Sequence, residues 1–487
     1  MDDNSRSLIP LPDASLAIAK PAAGRVLSEM IGETLALARR EALAAVGEHV
    51  QARFKIGEYK WREADHRQIL IWANALELQP EEVIRRLLAG NDPEKPKDTD
   101  TVFSDGMILK LHWDFEVLPL ARFEWVAGLG TTHLAFSGTP RQPVSLALRL
   151  PSLTHLRCLG FWETLGLTEL DLSAVPMLTS LSCPGNKLTK LDLSRVPMLT
   201  VLSCPNNHLT SLDLSSVPVL KQLWCHYNQL TKLDVSAVPL LTQLSCGYNH
   251  LTSLDLSSVP VLTQLYCERN QLTKLDLSAV PLLTGLSCRD NKLIKLDVSR
   301  LPTLTEIECS SNHLGKLDLR AVPLLKELVC YANNLTELDL SAVPMLTKLS
   351  CPDNKLTKLD LRAVPLLKEL SCYVNSLTEL DLSAVPMLTE LVCFANQLTK
   401  LDLTAVPMLR NLGCSSNHFT KLDLSAVPLL NELECYNNPL IDLDIRPLLS
   451  LTRLEYDYKS RPPVSVATLR YDFISARLIQ RPDQHFQ

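Results

Sequence analysis

Cysteine is the residue type in this chain with the clearest capacity for chemistry. The sequence holds 14 cysteines, and from Cys183 to Cys435 they recur every 21 residues. The interval from Cys158 to Cys183 is longer than one repeat, so we assign Cys158 to the same column with a four-residue insertion in the first repeat. A column of thiolates could bind zinc, and neighbouring thiols could join as disulfides.

The spacing of the cysteines favours packing over metal binding. Structural zinc sites use clustered pairs such as C-x-x-C together with histidine or further cysteine. Each cysteine here stands alone in its repeat, on the apolar side of the pattern, where a thiol serves as a small hydrophobic group. We therefore expect reduced thiols and no metal site, and we expect a reducing, cytoplasmic location.

A second column consists of aspartates, which recur every 21 residues from Asp171 to Asp444. Calcium-binding β-rolls also repeat aspartate, but in glycine-rich nonapeptides, and this chain has 16 glycines and no such nonapeptide. A lysine stands two residues before many of these aspartates: Lys190, Lys232, Lys274, Lys295, Lys316, Lys358, Lys400 and Lys421. Positions two apart share a strand face, so we predict that the lysine and aspartate rows offset each other. Each aspartate can also accept a turn N–H, as from Ser194.

Motifs typical of enzymes do not occur in the sequence. It contains no P-loop, no G-x-S-x-G and no H-E-x-x-H, and the segment Gly128–His133 misses the third glycine of a dinucleotide fingerprint. We therefore expect no catalytic residues and no cofactor.

These columns belong to one sequence repeat with a period of 21 residues. The unit Leu178–Met198 reads L-T-S-L-S-C-P-G-N-K-L-T-K-L-D-L-S-R-V-P-M, and further columns run from Asn186 to Asn438 and from Pro176 to Pro428. Side chains alternate along a strand, so the leucines and cysteine face one side and the polar residues the other. One turn cannot bury its leucines alone, but stacked turns share a core. We expect each asparagine to bond backbone groups within its turn.

The pattern L-x-x-L-x-C-x-x-N-x-L resembles the strand of a leucine-rich repeat with cysteine in its third apolar place. The second half, Leu188–Met198, resembles a strand of the same kind. The whole is similar to the short bacterial leucine-rich repeats of 21 residues with nested halves, called the IRREKO type, over Leu153–Leu454. The resemblance implies a repeat solenoid, mainly parallel β with short turns and no convex α-helices, that binds protein.

Positions that the repeat leaves free are where we predict partner binding. The outward aromatics are Trp224, His226, Tyr227, Tyr248, Tyr266, Tyr331, Tyr373, Phe394 and Tyr436. Acids with no obvious cation beside them accompany these rings: Glu306, Glu308, Glu327, Glu369, Glu390, Glu432 and Glu434. Aromatics dominate binding energy at interfaces, and the acids favour a basic partner. The alternative is that tyrosine simply suits a strand surface.

The chain divides into six regions by composition. We predict a flexible N-terminus at 1–22, a helical N-terminal region at 23–90, a linker at 91–101, a mixed capping region at 102–152, a solenoid of about 14 turns at 153–455 and a C-terminal cap at 456–487. Within the helical region, residues 23–52, 62–78 and 80–89 are predicted helices.

Charge argues against two classes of partner. The net charge is −6, and residues 55–90, which could form a helix-turn-helix, contain six basic and six acidic residues, so nucleic acid is not expected. No apolar run approaches the length of a membrane helix, and the segment Met1–Ser15 lacks the pattern of a cleaved secretory signal.

We predict a non-catalytic scaffold or adaptor. The alternatives are an exported, host-directed effector that acts by binding, and an enzyme within the N-terminal region that precedes the repeats.

Overall fold

The structure is a computed structural model that describes residues 55–56, 59–88, 101–104, 107–114, 131–137, 156–161, 166–441, 443–456 and 477–478. The chain forms two compact units. The first comprises Met1–Lys110 and Glu124–Gly130, and the second comprises Leu111–Phe123 and Thr131–Gln487. The predicted helix at 23–52 lies outside the described residues.

The described part of the first unit contains two helices where the sequence predicts them. Helix α1 (Glu63–Leu76) ends at Glu77, whose left-handed φ of 56° turns its N–H back to carbonyls of the last turn. Helix α2 (Pro80–Leu88) opens with proline and two acids, which suit the first turn and its dipole. No helix in the described part of the chain is long and apolar enough to cross a membrane.

Short strands accompany these helices. Strand β1 (Lys55–Ile56) pairs antiparallel with β2 (Tyr59–Lys60), and β3 (Val102–Ser104) pairs antiparallel with β4 (Met107–Asp114). The Ile108 N–H donates to Asp65 Oδ1 at 2.9 Å, which joins β4 to α1. Burial raises the pKa of Asp65, and Trp72 and Val83 pack in the same small core.

The second unit is a solenoid of parallel strands. Fourteen of them recur at the repeat interval: β7 (Ser180–Ser182), β8 (Val201–Ser203), β9 (Gln222–Trp224), β10 (Gln243–Ser245), β11 (Gln264–Tyr266), β12 (Gly285–Ser287), β13 (Glu306–Glu308), β14 (Glu327–Val329), β15 (Lys348–Ser350), β16 (Glu369–Ser371), β17 (Glu390–Val392), β18 (Asn411–Gly413), β19 (Glu432–Glu434) and β20 (Arg453–Glu455). Strands β5 (His133–Ser137) and β6 (Cys158–Phe161) precede them in the ladder, and β21 (Arg477–Leu478) follows β20. The predicted leucine-rich-repeat solenoid is confirmed.

Identical positions of successive repeats lie beside one another. Leu244 pairs with Leu223 on one side and Leu265 on the other, and the middle residue of each of these strands is buried. Each buried leucine stabilises the fold by roughly 2 kcal/mol through removal of apolar surface from water. A turn therefore gains this energy only when its neighbours cover both of its sides.

The second half of each repeat is extended but is not a ladder strand. In the repeat after β8, the His208 N–H donates to the Leu188 carbonyl at 2.9 Å, whereas the next N–H, that of Leu209, goes to the side chain of Asn228. One main-chain bond per turn does not make a ladder, so this half differs from the strand that the sequence suggested. No helix occurs within 166–441 or 443–456, as predicted for so short a repeat.

Each repeat reaches the next strand through two successive tight turns. The Val196 N–H donates to Leu193 O, and the Leu199 N–H donates to Val196 O, both at 3.1 Å. Pro197 occupies the second position of the latter turn, where its fixed φ fits and its missing N–H is not needed. We call the border formed by these turns the proline edge.

The asparagine column bonds backbone groups of its own bend, as predicted, and also bridges to the neighbouring turn, which was not predicted. Asn333 accepts a hydrogen bond at Oδ1 from the Leu314 N–H of the preceding turn (3.0 Å). Its Nδ2 lies within bonding distance of the carbonyls of Cys309, Cys330 and Tyr331 (3.1–3.2 Å). The amide thus satisfies backbone groups of two turns in the buried bend. Equivalent bonds begin at Asn186 and continue to Asn438.

Cys158 is not a member of the cysteine column, contrary to our assignment. The register pairs Cys158 with Ser180, so the first repeat is one residue longer than the others rather than four. By the same register the place of the buried cysteine belongs to Phe161, whose ring stacks on that of Phe136 at 5.4 Å.

The remaining 13 cysteines are buried, and none of the 14 is in a disulfide. Burial raises the pKa of Cys204, Cys246 and Cys351 to about 12, so these thiols stay protonated near neutral pH. A protonated thiol is a poor nucleophile and a poor metal ligand. Within the described residues no group of three histidine, cysteine or acidic side chains is arranged to hold a metal ion.

Replacing Asn333 with alanine should lower the free energy of unfolding by about 3 kcal/mol, because several buried backbone groups lose their partner. Asn334 is the matched control, since it is the next residue, is exposed, and should change stability by less than about 0.5 kcal/mol on the same replacement. Chemical denaturation of both variants measures the difference. Equal effects would mean that the side-chain bridge does not hold the turns together.

In the native protein a thiol reagent should react rapidly with Cys158, which is half-buried, and slowly with the other 13 cysteines. After denaturation without reductant, all 14 thiols should react with the reagent. The Cys158→Ser variant introduces the residue found at the equivalent place in the next repeat, and it should remove the fast phase. Several fast thiols in that variant, or fewer than 14 after denaturation, would contradict the buried, reduced column.

Candidate protein-binding face

The candidate site is the outward side of the strand ladder, which we call the strand face. It comprises the first and third residues of each strand and the two residues that follow the cysteine. In β9, for example, Leu223 is buried while Gln222 and Trp224 lie partly exposed on either side of it. The fold fixes the direction of these side chains but does not fix their type.

Aromatic rings gather first near β9 and β10. Tyr227 stacks on Tyr248 with ring centroids 3.9 Å apart, and Arg269 lies 4.9 Å from the Tyr248 centroid in a cation–π contact. His226 lies edge-on to Tyr227 at 5.8 Å, and its Nδ1 is 3.0 Å from Ser245 Oγ. Burial lowers the pKa of His226, which favours the neutral imidazole. We call His226, Tyr227 and Tyr248 the first aromatic cluster.

Two further predicted aromatics lie beside this cluster on the strands themselves. Trp224 is half-buried and pairs in register with Ser203 and Ser245, so its indole stands above small neighbours. Tyr266 is 39% exposed, and its hydroxyl donates to Gln264 Oε1 at 2.8 Å. Both rings therefore present area to solvent on the strand face.

A second group of rings follows the later strands. Tyr373 stacks on Phe394 at 4.2 Å with nearly parallel planes, and Tyr331 and Tyr436 occupy the same repeat position two turns before and after this pair. All four are partly buried. We call them the second aromatic cluster, and the structure separates it from the first cluster along the ladder.

The predicted acids differ in their surroundings. Glu306 and Glu327 are exposed register neighbours on β13 and β14, and Glu390 is partly exposed on β17. The expectation that the acids lack cations is wrong for four of them. Glu308 lies 3.4 Å from Arg289, Glu369 lies 3.4 Å from Lys348, and Arg453 contacts both Glu432 and Glu434 (3.3 and 3.1 Å). These cations come from adjacent turns, about 4.8 Å away, so linear sequence does not reveal them.

Arg289 and Glu268 are strand-face residues that the sequence interpretation missed. Arg289 contacts Glu308 and donates to the Tyr248 hydroxyl at 3.4 Å, which links acids and aromatics of different turns. The Glu268 carboxyl lies over Gly247, where a β-carbon would meet it at 2.6 Å, and burial raises the pKa of Glu268. The sequence signal for this contact was Gly247, because the position after the cysteine carries a side chain in the other repeats of the column.

The aspartate column is a set of turn caps. Asp192 Oδ1 accepts the Ser194 N–H at 2.9 Å, and this bond holds the pKa of Asp192 below its usual value. The predicted pairing with lysine is largely wrong, since among the described residues one such pair, Lys295–Asp297 at 3.3 Å, lies within ion-pair distance. Arginines two residues after the aspartate pair with it instead: Arg320, Arg362 and Arg446.

Neither a family model nor a curated protein sequence matches the chain. Solved structures do. The functional domain of InlJ from Listeria monocytogenes, described as including a cysteine ladder, is 31% identical over 74% of this chain and 78% of that chain, with a TM-score of 0.58.

Two other solved structures extend the likeness. YopM, a leucine-rich effector protein from Yersinia pestis, is 26% identical over 80% of this chain and 98% of that chain, with a TM-score of 0.55. The Toll–Spätzle complex of Drosophila is 18% identical over 67% of this chain and 50% of that chain, with a TM-score of 0.53, which shows the fold alone. With the fold, the 21-residue register and the identity to InlJ in agreement, the chain belongs to the leucine-rich-repeat proteins.

Proposed function

We propose that the protein is a non-catalytic interaction scaffold or adaptor that binds a protein partner through the strand face. The observation that carries this proposal is the pair of stacked rings in each aromatic cluster, Tyr227 on Tyr248 and Tyr373 on Phe394. Stacked aromatics present rigid area, and such residues supply most of the energy of protein interfaces. The solenoid offers a long surface of this kind.

The stacking of the first cluster, rather than its backbone, supports a role beyond folding. Tyr227 and Tyr248 both have a φ of 53°, in the left-handed region that disfavours bulky residues by roughly 1–2 kcal/mol. The bend imposes this conformation in every repeat, and the same position holds Gly185 and Asn206 but also Arg269 and Val374. The two tyrosines differ from these residues because their rings stack on each other at the surface.

The acids favour a basic partner. Glu306 and Glu327 lie side by side and exposed, at the end of the second aromatic cluster that faces the first. Glu390 lies in the same repeat as Phe394 of that cluster. Carboxylates at the border of an aromatic interface act mainly on the rate of association and on the choice of partner. We therefore assign the aromatics to affinity and these glutamates to steering.

We also propose a cytoplasmic location and a finer family type on the basis of the same features. Fourteen thiols outside disulfides suit a reducing cytoplasm. The short repeat, together with the likeness to two bacterial proteins, supports a bacterial type with 21-residue repeats, although its two halves differ in structure. The second candidate function is an exported effector that acts by binding, which the likeness to the effector YopM favours. Fractionation of the source cells and their medium distinguishes the two.

Binding should weaken by about 2 kcal/mol, or roughly thirtyfold in Kd, when Tyr227 and Tyr248 are both replaced by asparagine. Asparagine tolerates the left-handed φ, so the fold should be retained or strengthened. The measurement uses the full-length chain to capture its partner from source-cell extract, followed by titration of the identified partner. In the same assay, Glu306→Gln with Glu327→Gln should slow association and reduce its dependence on salt.

The matched control replaces Lys232 and Lys274, which are exposed on the second half of the repeat, by glutamine. This control should leave the affinity within about twofold of the unmodified chain. A larger loss from the lysine variant than from the tyrosine variant would place the interface on the other side of the solenoid and refute the assignment.

A further inference from the structure

The proline edge carries a stripe of exposed apolar side chains that the strand face does not include. The turn that closes each repeat has proline at its second position and, at its third, a residue such as Met198 (46% exposed) or Leu282 (48% exposed). The third-position residues are Met177, Met198, Val219, Leu240, Val261, Leu282, Thr303, Leu324, Met345, Leu366, Met387, Met408 and Leu429. Twelve of these 13 are apolar, and nine are more than a third exposed.

Turn chemistry does not account for this choice. The third-position residues do not have a positive φ, and a turn of this kind accepts most residue types, so the turn does not require an apolar residue there. Here methionine, leucine and valine replace one another from repeat to repeat, so the residue varies while its apolar character remains. The buried parts of the same turn, such as Val196 and Leu199, already supply the packing.

The stripe is widest and free of charge over six consecutive turns. From Ala321 to Leu429 every turn combines a partly exposed alanine, an exposed proline and a methionine or leucine. The exposed residues of these six turns present a surface on the order of the ~800 Å² that a stable interface takes from each partner. Monomeric proteins seldom expose a continuous apolar patch this large.

The borders of the stripe are polar on both sides. On one side, Arg320 and Arg362 directly precede alanines of the stripe and form ion pairs with Asp318 and Asp360. On the strand side, the stripe is bordered by polar residues such as Lys326, which is exposed. An apolar centre with a charged rim is the composition of a protein interface.

We propose that the proline edge is a self-association surface, on which a second copy of this chain packs stripe against stripe. The repeat supports this occupant in particular, because two copies share one axial spacing of about 4.8 Å per turn and their side chains can interdigitate along the whole contact. The area of six turns is sufficient for a dimer. The strand face stays open in this arrangement.

Sedimentation equilibrium of the full-length protein tests the proposal. The protein should be dimeric at micromolar concentration, and Met345→Lys with Met387→Lys should raise the dimer dissociation constant more than tenfold, because two charges would be buried without partners. Both positions are more than 40% exposed, so the fold should be retained, which far-ultraviolet circular dichroism checks.

The matched control is Thr357→Lys with Thr378→Lys, which adds the same two charges at exposed sites on the second half of nearby repeats. It should leave the dimer unchanged. A monomer at tens of micromolar overturns the proposal. So does a dimer that the methionine variant leaves intact, or one that both variants weaken equally. A dimer broken by Tyr227→Asn with Tyr248→Asn instead would place self-association on the strand face.

Discussion

The structure of the solenoid depends on the asparagine side chain that follows each strand. Where the chain bends, the main chain cannot satisfy its own polar groups, and one amide such as that of Asn333 bonds an N–H and carbonyls of two turns. An unsatisfied buried polar group costs about 1–3 kcal/mol, so the bend could not be buried without this bridge. The residue before each asparagine adopts a left-handed φ, and the bend then recurs in every repeat.

This constraint separates positions that serve the fold from positions that are free. Leucine, cysteine and asparagine are held inside, whereas the first and third strand residues point outward in every turn. Parallel pairing in register then places equal positions in columns, so a few side chains in successive turns form an extended surface. Stacked rings such as Tyr373 on Phe394 and the apolar row along the proline edge both arise in this way.

Most of the fold could be predicted from the sequence because its information is local and repeated. The strand, the turn asparagine and the turn cap at Asp192 follow from residue type and spacing within one repeat. The predictions that failed concerned features that depend on contacts between turns. The register of Cys158 required the pairing of β6 with β7, and the cation beside Glu369 comes from the neighbouring strand. The second half was misread because its leucines resemble a strand while the amide of Leu209 is taken by Asn228.

One 21-residue register sets both the core and the outward columns. Deletion of Leu262–Leu282 removes one whole unit and should leave a folded, cooperatively unfolding protein, because the flanking turns restack leucine on leucine. Deletion of the ten residues Leu262–Gln271 should break the stack and lower the unfolding temperature sharply. Thermal unfolding followed by circular dichroism compares the two. Equal stability of both deletions would mean that the halves are interchangeable and would contradict the account.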